Sequence, residues 1–339
     1  MKIILTAGAA LLLTLTMRAQ TIEPAKIKKD KSPTSVPVIV SDREGRYIPG
    51  LKKEDFTVFR DGVKQNITFF ATFDEPFSVA LLLDTSGSTE DVLKSIKNAA
   101  KDFVNLLNPQ DKCLVATFDN QVKILNPFTS DRSTLKKSLD KIKSSDLGGT
   151  LMYNAVEQIT QKSFADVAGR KVVVVLTDGV DFGSSVTKDE LLNQFEESDV
   201  LIYTVFYRTG AISADSGNGK KSRRSKKYRR KKNVMIPAGQ IYVPTETELA
   251  AREKSEEAEA IDALKKMSDT TAGRFYQSDS PGLSGIFKRM AGELREQYRL
   301  GFRAEDAADE AAKTHDIIIK VARPDAVVRF REKVRGKLL

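Results

Sequence analysis

The chain has 339 residues and a formal net charge of +9, with a single histidine, a single cysteine and no tryptophan. That inventory leaves little material for a Ser-His-Asp or Cys-His nucleophile system or a zinc site, and it excludes an intrachain disulfide. The charge is local: residues 220–232 carry ten basic side chains and no acid, so the rest of the chain sums to −1 and reads as a near-neutral globule.

Residues 1–19 have the order of an export signal, with Lys2 as the positive end, Ile3 to Leu15 as the apolar stretch and Met17-Arg18-Ala19 before Gln20 as a cleavage site. The apolar stretch is shorter than the about 20 residues that span a bilayer, and an uncleaved anchor is the alternative. No cysteine follows the segment to take a lipid anchor. Export without disulfides predicts a bacterial periplasmic or secreted protein. A Lys/Pro/Ser-rich flexible arm and an N-terminal β segment fill residues 20–75. Strands are predicted at 36–42 and 56–60, then a turn at Asp61-Gly62 and a strand at 65–70 that closes a hairpin. Asn66-Ile67-Thr68 falls in that strand and is a chance glycosylation triplet.

Residues 78–88, Ser-Val-Ala-Leu-Leu-Leu-Asp-Thr-Ser-Gly-Ser, form an apolar run ending at Asp84, Ser86 and Ser88. A run without polar alternation fits a strand buried on both faces of a parallel sheet. Open α/β sheets place their ligands at the carboxyl ends of such strands. Oxygen donors without Cys or His suit a hard cation, Mg²⁺ first, with Mn²⁺ and Ca²⁺ as alternatives. A helix near 89–107 follows, with Val92, Ile96, Ala99, Phe103 and Leu106 on one face. Then come a strand at 112–118 holding Cys113 as a small buried hydrophobe, a short antiparallel edge at 122–125 and a helix at 131–143. Leu147-Gly-Gly-Thr150 is a Gly-rich loop before a helix at 151–163. A second apolar run, 171–176, ends at Asp178-Gly179. A helix at 187–196 and a strand at 200–207 continue the alternation expected of βαβ units in a doubly wound α/β fold.

Asp84, Ser86, Ser88, Thr150 and Asp178, on three loops in this order, resemble the metal-ion-dependent adhesion site of von Willebrand factor type A (VWA) domains. The resemblance covers residues 76–297 and implies that Ser86, Ser88 and Thr150 contact the ion through hydroxyls while Asp84 and Asp178 act largely through bound water. It also implies one coordination position left for an Asp or Glu carboxylate of a partner protein. Few charged ligands leave the ion electrophilic, so an incoming carboxylate gains strongly by completing its shell. Asp181 is expected to be a solvated loop acid, with support of the ligands as the alternative. Thr89 departs from the hydrophobic residue that many family members carry there, outside the ligand set.

Residues 209–245 interrupt the rhythm as a basic insertion, disordered by composition. Within it Lys220, Lys221, Arg223, Arg224, Lys226, Lys227, Arg229, Arg230, Lys231 and Lys232 are candidates for binding an anionic polymer or lipid surface, with steep salt dependence. A solvated loop is the plain alternative, and Tyr228 alone offers no stacking platform. A helix at 246–268, an edge strand at 273–277 and a helix at 282–296 complete the α/β unit. The C-terminal β segment, 298–339, begins with a strand at 297–302 and continues with strands at 316–321, where His315 is expected at an exposed position, and 326–331. Three strands before the α/β unit and three after it predict a six-stranded sandwich with that unit inserted between its halves, a layout similar to bacterial exported proteins with a VWA-related domain. The expected function is metal-dependent binding of a protein partner, as an adhesion or assembly module. No small-molecule substrate and no enzymatic activity are expected, because the ligand set supplies no separate general base. A metal kept only for loop stability is the bland alternative, and the sequence does not set the oligomeric state.

Overall fold

Thr34–Ser41 (β1), Phe56–Arg60 (β2), Val63–Gln65 (β3) and Ile67–Ala71 (β4) precede the first buried apolar run. The computed structural model describes residues 34–72, 75–145, 148–196, 198–208, 234–235, 241–242, 245–278, 282–302 and 314–335. The export signal, the arm up to residue 33 and the basic run from Lys220 to Lys232 lie outside the described residues. Asp61 and Gly62, at φ 49° and 80°, form the two-residue turn joining β2 to β3; positive φ at both positions matches the strand twist. The strand expected at 65–70 is two strands. β3 stays with β2, whereas β4 pairs with a strand 230 residues further along. Alternation reports which face of a strand is covered, not which sheet it joins, so the break at Asn66 left no mark in the pattern.

The α/β unit runs in order through Phe77–Asp84 (β5), Leu93–Leu106 (α1), Lys112–Phe118 (β6), Val122–Thr129 (β7), Arg132–Asp140 (α2), Met152–Gln158 (α3), Arg170–Thr177 (β8), Lys188–Phe195 (α4) and Val200–Tyr207 (β9). A two-residue pair, Val234–Met235 (β10) and Ile241–Tyr242 (β11), precedes Glu246–Thr270 (α5), Phe275–Ser278 (β12) and Leu283–Arg295 (α6). The six-stranded sheet has the order β12-β9-β8-β5-β6-β7, and every pair is parallel except β6 with β7. Successive residues of the central strands feed opposite cores. Val79, Leu81 and Leu83 pack with α1, α2 and α6, while Ala80 and Leu82 pack with α3, α4 and α5. That is why these strands read as unbroken apolar runs. Each such Leu or Val contributes roughly 1.5–3 kcal/mol by leaving water. From β5 the chain first steps to β6 on one side and later returns to β8 on the other, so the strand order reverses at β5 and leaves a crevice at its carboxyl end.

Gln297–Phe302 (β13), Thr314–Val321 (β14), Val327–Phe330 (β15) and Lys333–Arg335 (β16) complete two antiparallel sheets, β15-β1-β13-β4 and β16-β14-β2-β3. They enclose Val36, Val38, Phe56, Val58, Tyr298, Leu300, Ile317 and Ile319 as one core. The architecture is the doubly wound sheet between flanking β segments that the sequence predicts, with eight sandwich strands instead of six; β3 and β16, three residues each, were too short to register. His315 is a correction. It is buried, with Nε2 2.6 Å from an Arg60 guanidinium nitrogen and Nδ1 2.7 Å from Asp61 Oδ2. The turn acid and the end of β2 cover it, contacts that a strand read in isolation does not show.

Polar side chains buried at the junction join the sandwich to the α/β unit. Arg331 donates to the carbonyls of Phe195 (3.1 Å) and Ser198 at the end of α4, and Arg170 donates to Glu75 O (3.0 Å), Gln297 Oε1 (2.9 Å) and the Leu294 carbonyl. Burial pulls both guanidiniums down to about 10. Glu293, on α6 and fully buried, accepts hydroxyls from Tyr47, Tyr203 (3.0 Å) and Tyr276 (3.2 Å) and pairs with Arg274 (3.1 Å) and Arg329. Burial and then the Glu293 charge push all three phenols up.

α5 ends with Ala272 in the left-handed region, φ 62°, and with Ala272 N donating to Asp269 O and Gly273 N to Ser268 O. This is the two-bond helix terminus in which glycine usually takes the left-handed position. Here glycine is needed one residue later, because a Cβ at Gly273 would lie 1.9 Å from Ile202 O of β9. Gly273→Ala is therefore expected to lower stability by about 1–3 kcal/mol, as overpacking against fixed backbone does. A melting temperature equal to that of the parent protein would contradict the close approach.

Candidate metal centre

Asp84 is the last residue of β5, at the point where the strand order reverses, and its carboxylate is fully buried. Oδ1 accepts from Ser86 N (2.8 Å) and Oδ2 from Thr177 Oγ1 (2.6 Å). Burial raises the Asp84 carboxyl above the usual range; the hydroxyls of Ser86 and Thr177 oppose that shift, and the charge of Asp119 adds to it. The chain then turns through a short 3-10 segment, Gly87–Thr89, which swings Ser88 Oγ back toward Ser86 Oγ at 3.1 Å. Ser88 Oγ donates to Asp178 Oδ1 at 3.1 Å. Asp84, Ser86, Ser88 and Asp178 thus form one connected set at the carboxyl ends of β5 and β8. Thr89 is buried and donates its hydroxyl to Ser86 O (2.8 Å), so the residue that departs from the family pattern braces the turn carrying the serines.

Thr150 lies on the adjoining loop. Its backbone exchanges two hydrogen bonds with Phe182, Thr150 N to Phe182 O at 3.0 Å and Phe182 N to Thr150 O at 2.9 Å, which fasten the loop before α3 to the loop after Asp178. Gly149 stands at φ 123°, and a Cβ there would meet Asn120 Cβ at 3.1 Å, so a side chain before Thr150 would be strained and would crowd Asn120. Asp181 is not a solvated acid. Its Oδ1 accepts from Tyr153 N (2.9 Å) and Ser184 Oγ (2.6 Å), holding the first turn of α3 against this loop.

The donor set fits a small hard cation. Adjacent oxygens on an octahedron with metal–oxygen distances of about 2.1 Å lie about 3 Å apart, and the hydroxyls of Ser86 and Ser88 are spaced at 3.1 Å. Ser88 is exposed and Asp178 and Thr150 are half-buried, so the set opens to solvent on one side. Among the described residues no group of three or more His, Cys, Asp or Glu is arranged to hold a metal, and hydroxyls dominate the oxygens here.

Two supporting residues escaped the sequence reading. Thr177 holds Asp84 directly. Asp119 is buried at the end of β6, accepts from Gln121 N (3.0 Å) and, through its carbonyl, from Leu151 N (2.8 Å) on the Thr150 loop. The signal for Asp119 was available: Phe118-Asp119 closes β6 as Leu83-Asp84 closes β5.

The family model of the von Willebrand factor type A domain matches residues 78–226. An uncharacterised protein of Borreliella burgdorferi is 28% identical over 134 residues, 38% of this chain and 39% of the relative, so the match spans about two fifths of that curated relative's length. An aerotolerance-related membrane protein from Bacteroides fragilis is similar at 20% identity and a TM-score of 0.44, covering 64% of this chain and 98% of that one. Proximal thread matrix protein 1 of the mussel byssus, with a zinc-occupied MIDAS motif, is similar at 18% identity and a TM-score of 0.48, covering 69% of this chain and 50% of that one. Residues 78–226 thus match the von Willebrand factor type A domain, and the sheet order with its reversal at β5 is the fold of that domain.

Proposed function

We infer that the chain is an exported, divalent-metal-dependent protein-binding module, and that it binds rather than catalyses. The observation that carries this reading is the connected Asp84–Ser86–Ser88–Asp178 set at the carboxyl edge of the sheet, open to solvent at Ser88. Ser86, Ser88 and Thr150 would hold Mg²⁺, Mn²⁺ or Ca²⁺ through hydroxyls, with Asp84 and Asp178 supplying the negative charge. Bound there, the ion supplies Lewis acidity toward an Asp or Glu carboxylate of the partner. The protein's part is to keep the ligands mostly neutral and to fix them: Thr177 and Ser86 N orient Asp84, Thr89 braces the serine turn, and the Thr150–Phe182 bridge fixes the third loop.

Titration calorimetry of the signal-free protein with Mg²⁺ and Mn²⁺, beside an Asp84→Ala, Ser86→Ala double variant, tests the reading. One saturable site in the parent, lost in the double variant, is the expected result. Absence of binding in both forms sinks the metal-dependent function.

A further inference from the structure

We propose that Tyr207 is a positioning residue of this site: its buried phenol hydrogen-bonds a water in the shell of the bound ion and steadies it beside Asp178. The inference rests on the metal-dependent reading above and extends the support of the ion to β9, a strand that carries no candidate ligand.

Tyr207 is the last residue of β9 and is 2% exposed. Its hydroxyl has no hydrogen-bond partner among the described residues. Buried hydroxyls are nearly always paired, and leaving one unpaired costs stability. Its place in the sheet shows where the missing partner belongs. β8 and β9 are parallel with Thr177 opposite Phe206, so the next step in register sets Asp178 beside Tyr207, on strands about 4.8 Å apart. Tyr207 belongs to the core on the α1 and α6 side, together with Leu83, Leu176 and Val205. Asp178 turns to that same side, because its Oδ1 accepts from Ser88 on the turn into α1. Burial first, and then the charges of Asp178 and Asp84, push the ionisation of the phenol up. Tyr207 is therefore a neutral hydroxyl that feels both acids and meets the ligand set from the core side.

Tyr203 provides the contrast. It lies four residues earlier on the same face of β9 and is also buried, but its hydroxyl donates to Glu293 at 3.0 Å. One core tyrosine serves the fold; the other has no partner until the site fills. Mg²⁺ dehydrates reluctantly and keeps several waters when it binds to protein. A water on the ion points its oxygen at the metal and must donate its protons elsewhere. Carboxylates take some of these protons, and a phenol oxygen takes another while its own O–H remains a donor. A hydroxyl already fixed in the core raises affinity in this way without adding charge, so the ion stays electrophilic toward a partner.

The test measures Mg²⁺ affinity by calorimetry and melting in chelator for the signal-free parent, Tyr207→Phe and Tyr203→Phe. Tyr207→Phe is expected to bind Mg²⁺ roughly 5- to 10-fold more weakly, the equivalent of one hydrogen bond. In chelator it should melt within about 2 °C of the parent or higher, since no hydrogen bond of the metal-free fold is lost. Tyr203→Phe should reverse the pattern, melting lower with Mg²⁺ affinity unchanged. In Tyr207→Phe, an affinity change under about 3-fold or a chelator melt more than about 2 °C below the parent overturns the assignment and leaves the metal site standing. An equal loss of affinity in Tyr203→Phe overturns it as well. A parent that binds no Mg²⁺ overturns the metal-dependent reading, and the role of Tyr207 with it.

Discussion

Glu293→Ala is expected to destabilise the protein by on the order of 3–5 kcal/mol, the cost of removing one partner from a buried ionic cluster. The carboxylate is fully buried and faces Arg274, Arg329 and three tyrosine hydroxyls. Its loss leaves two guanidiniums facing each other without a counter-charge and three phenols without an acceptor. Because Tyr47 and Arg329 belong to the sandwich while Tyr203 and Tyr276 belong to the α/β sheet, the damage should appear as loss of cooperativity as well as a fall in midpoint of roughly 10 °C. Glu293→Gln keeps an acceptor but not the charge and should fall between the two. Calorimetric melts of the three proteins check this; a Glu293→Ala midpoint within about 2 °C of the parent would show that water replaces the carboxylate without cost.

Asp84→Asn is expected to act in opposite directions on stability and on metal binding. Burial raises the Asp84 carboxyl above its ordinary value. A group that holds its proton more tightly when folded contributes stability at low pH, and that contribution is lost as pH rises through the folded-state value. Ionising this buried carboxylate therefore costs the metal-free protein stability, and a divalent ion, which favours the ionised form, offsets that cost. Asparagine removes the charge and retains an acceptor for Ser86 N or Thr177 Oγ1. The metal-free variant should melt about 2–6 °C higher than the metal-free parent, for a gain of roughly 1–2 kcal/mol. The parent should gain about 2.7 kcal/mol from Mg²⁺ at one hundred times its dissociation constant, and the variant should gain nothing. Thermal melts from pH 5 to pH 8, with Mg²⁺ and with chelator, measure all of these. A parent whose melting is indifferent to Mg²⁺, or a variant that keeps the Mg²⁺ response, contradicts the assignment of Asp84.

The α/β unit was legible because its central strands are buried on both faces, and residue type alone signals that condition. Asp84 and Asp178 stood out for the same reason, as carboxylates closing apolar runs. Thr150 was legible through the Gly-Gly before it, but not its tie to Phe182, because that bridge joins loops over 30 residues apart in sequence. The rest was hidden by distance along the chain. Glu293 sits in Ala-Gly-Glu-Leu-Arg, where nothing separates it from a surface acid; its partners lie on four other segments. His315 looked exposed because the side chains that cover it come from the turn after β2. The switch from β3 to β4 has no residue signature, since either strand would suit either sheet.

Strand pairing in the sandwich bears on the order in which the chain acquires structure as it is synthesised. β1 lies between β13 and β15, and Ala71 of β4 is opposite Arg299. β1 and β4 therefore have no strand partners in their own sheet until more than 290 residues have emerged, whereas β2 and β3 pair with each other as soon as both are made. The α/β unit between them is built from near-neighbour strands and helices, the low-separation contacts that form fastest. Once folded, it brings residues 71 and 299 side by side and removes most of the loop-closure entropy that would oppose joining the halves of the sandwich. The inserted domain thus serves as the template on which its own support is completed, and until then β1 and β4 are open edges available to other chains.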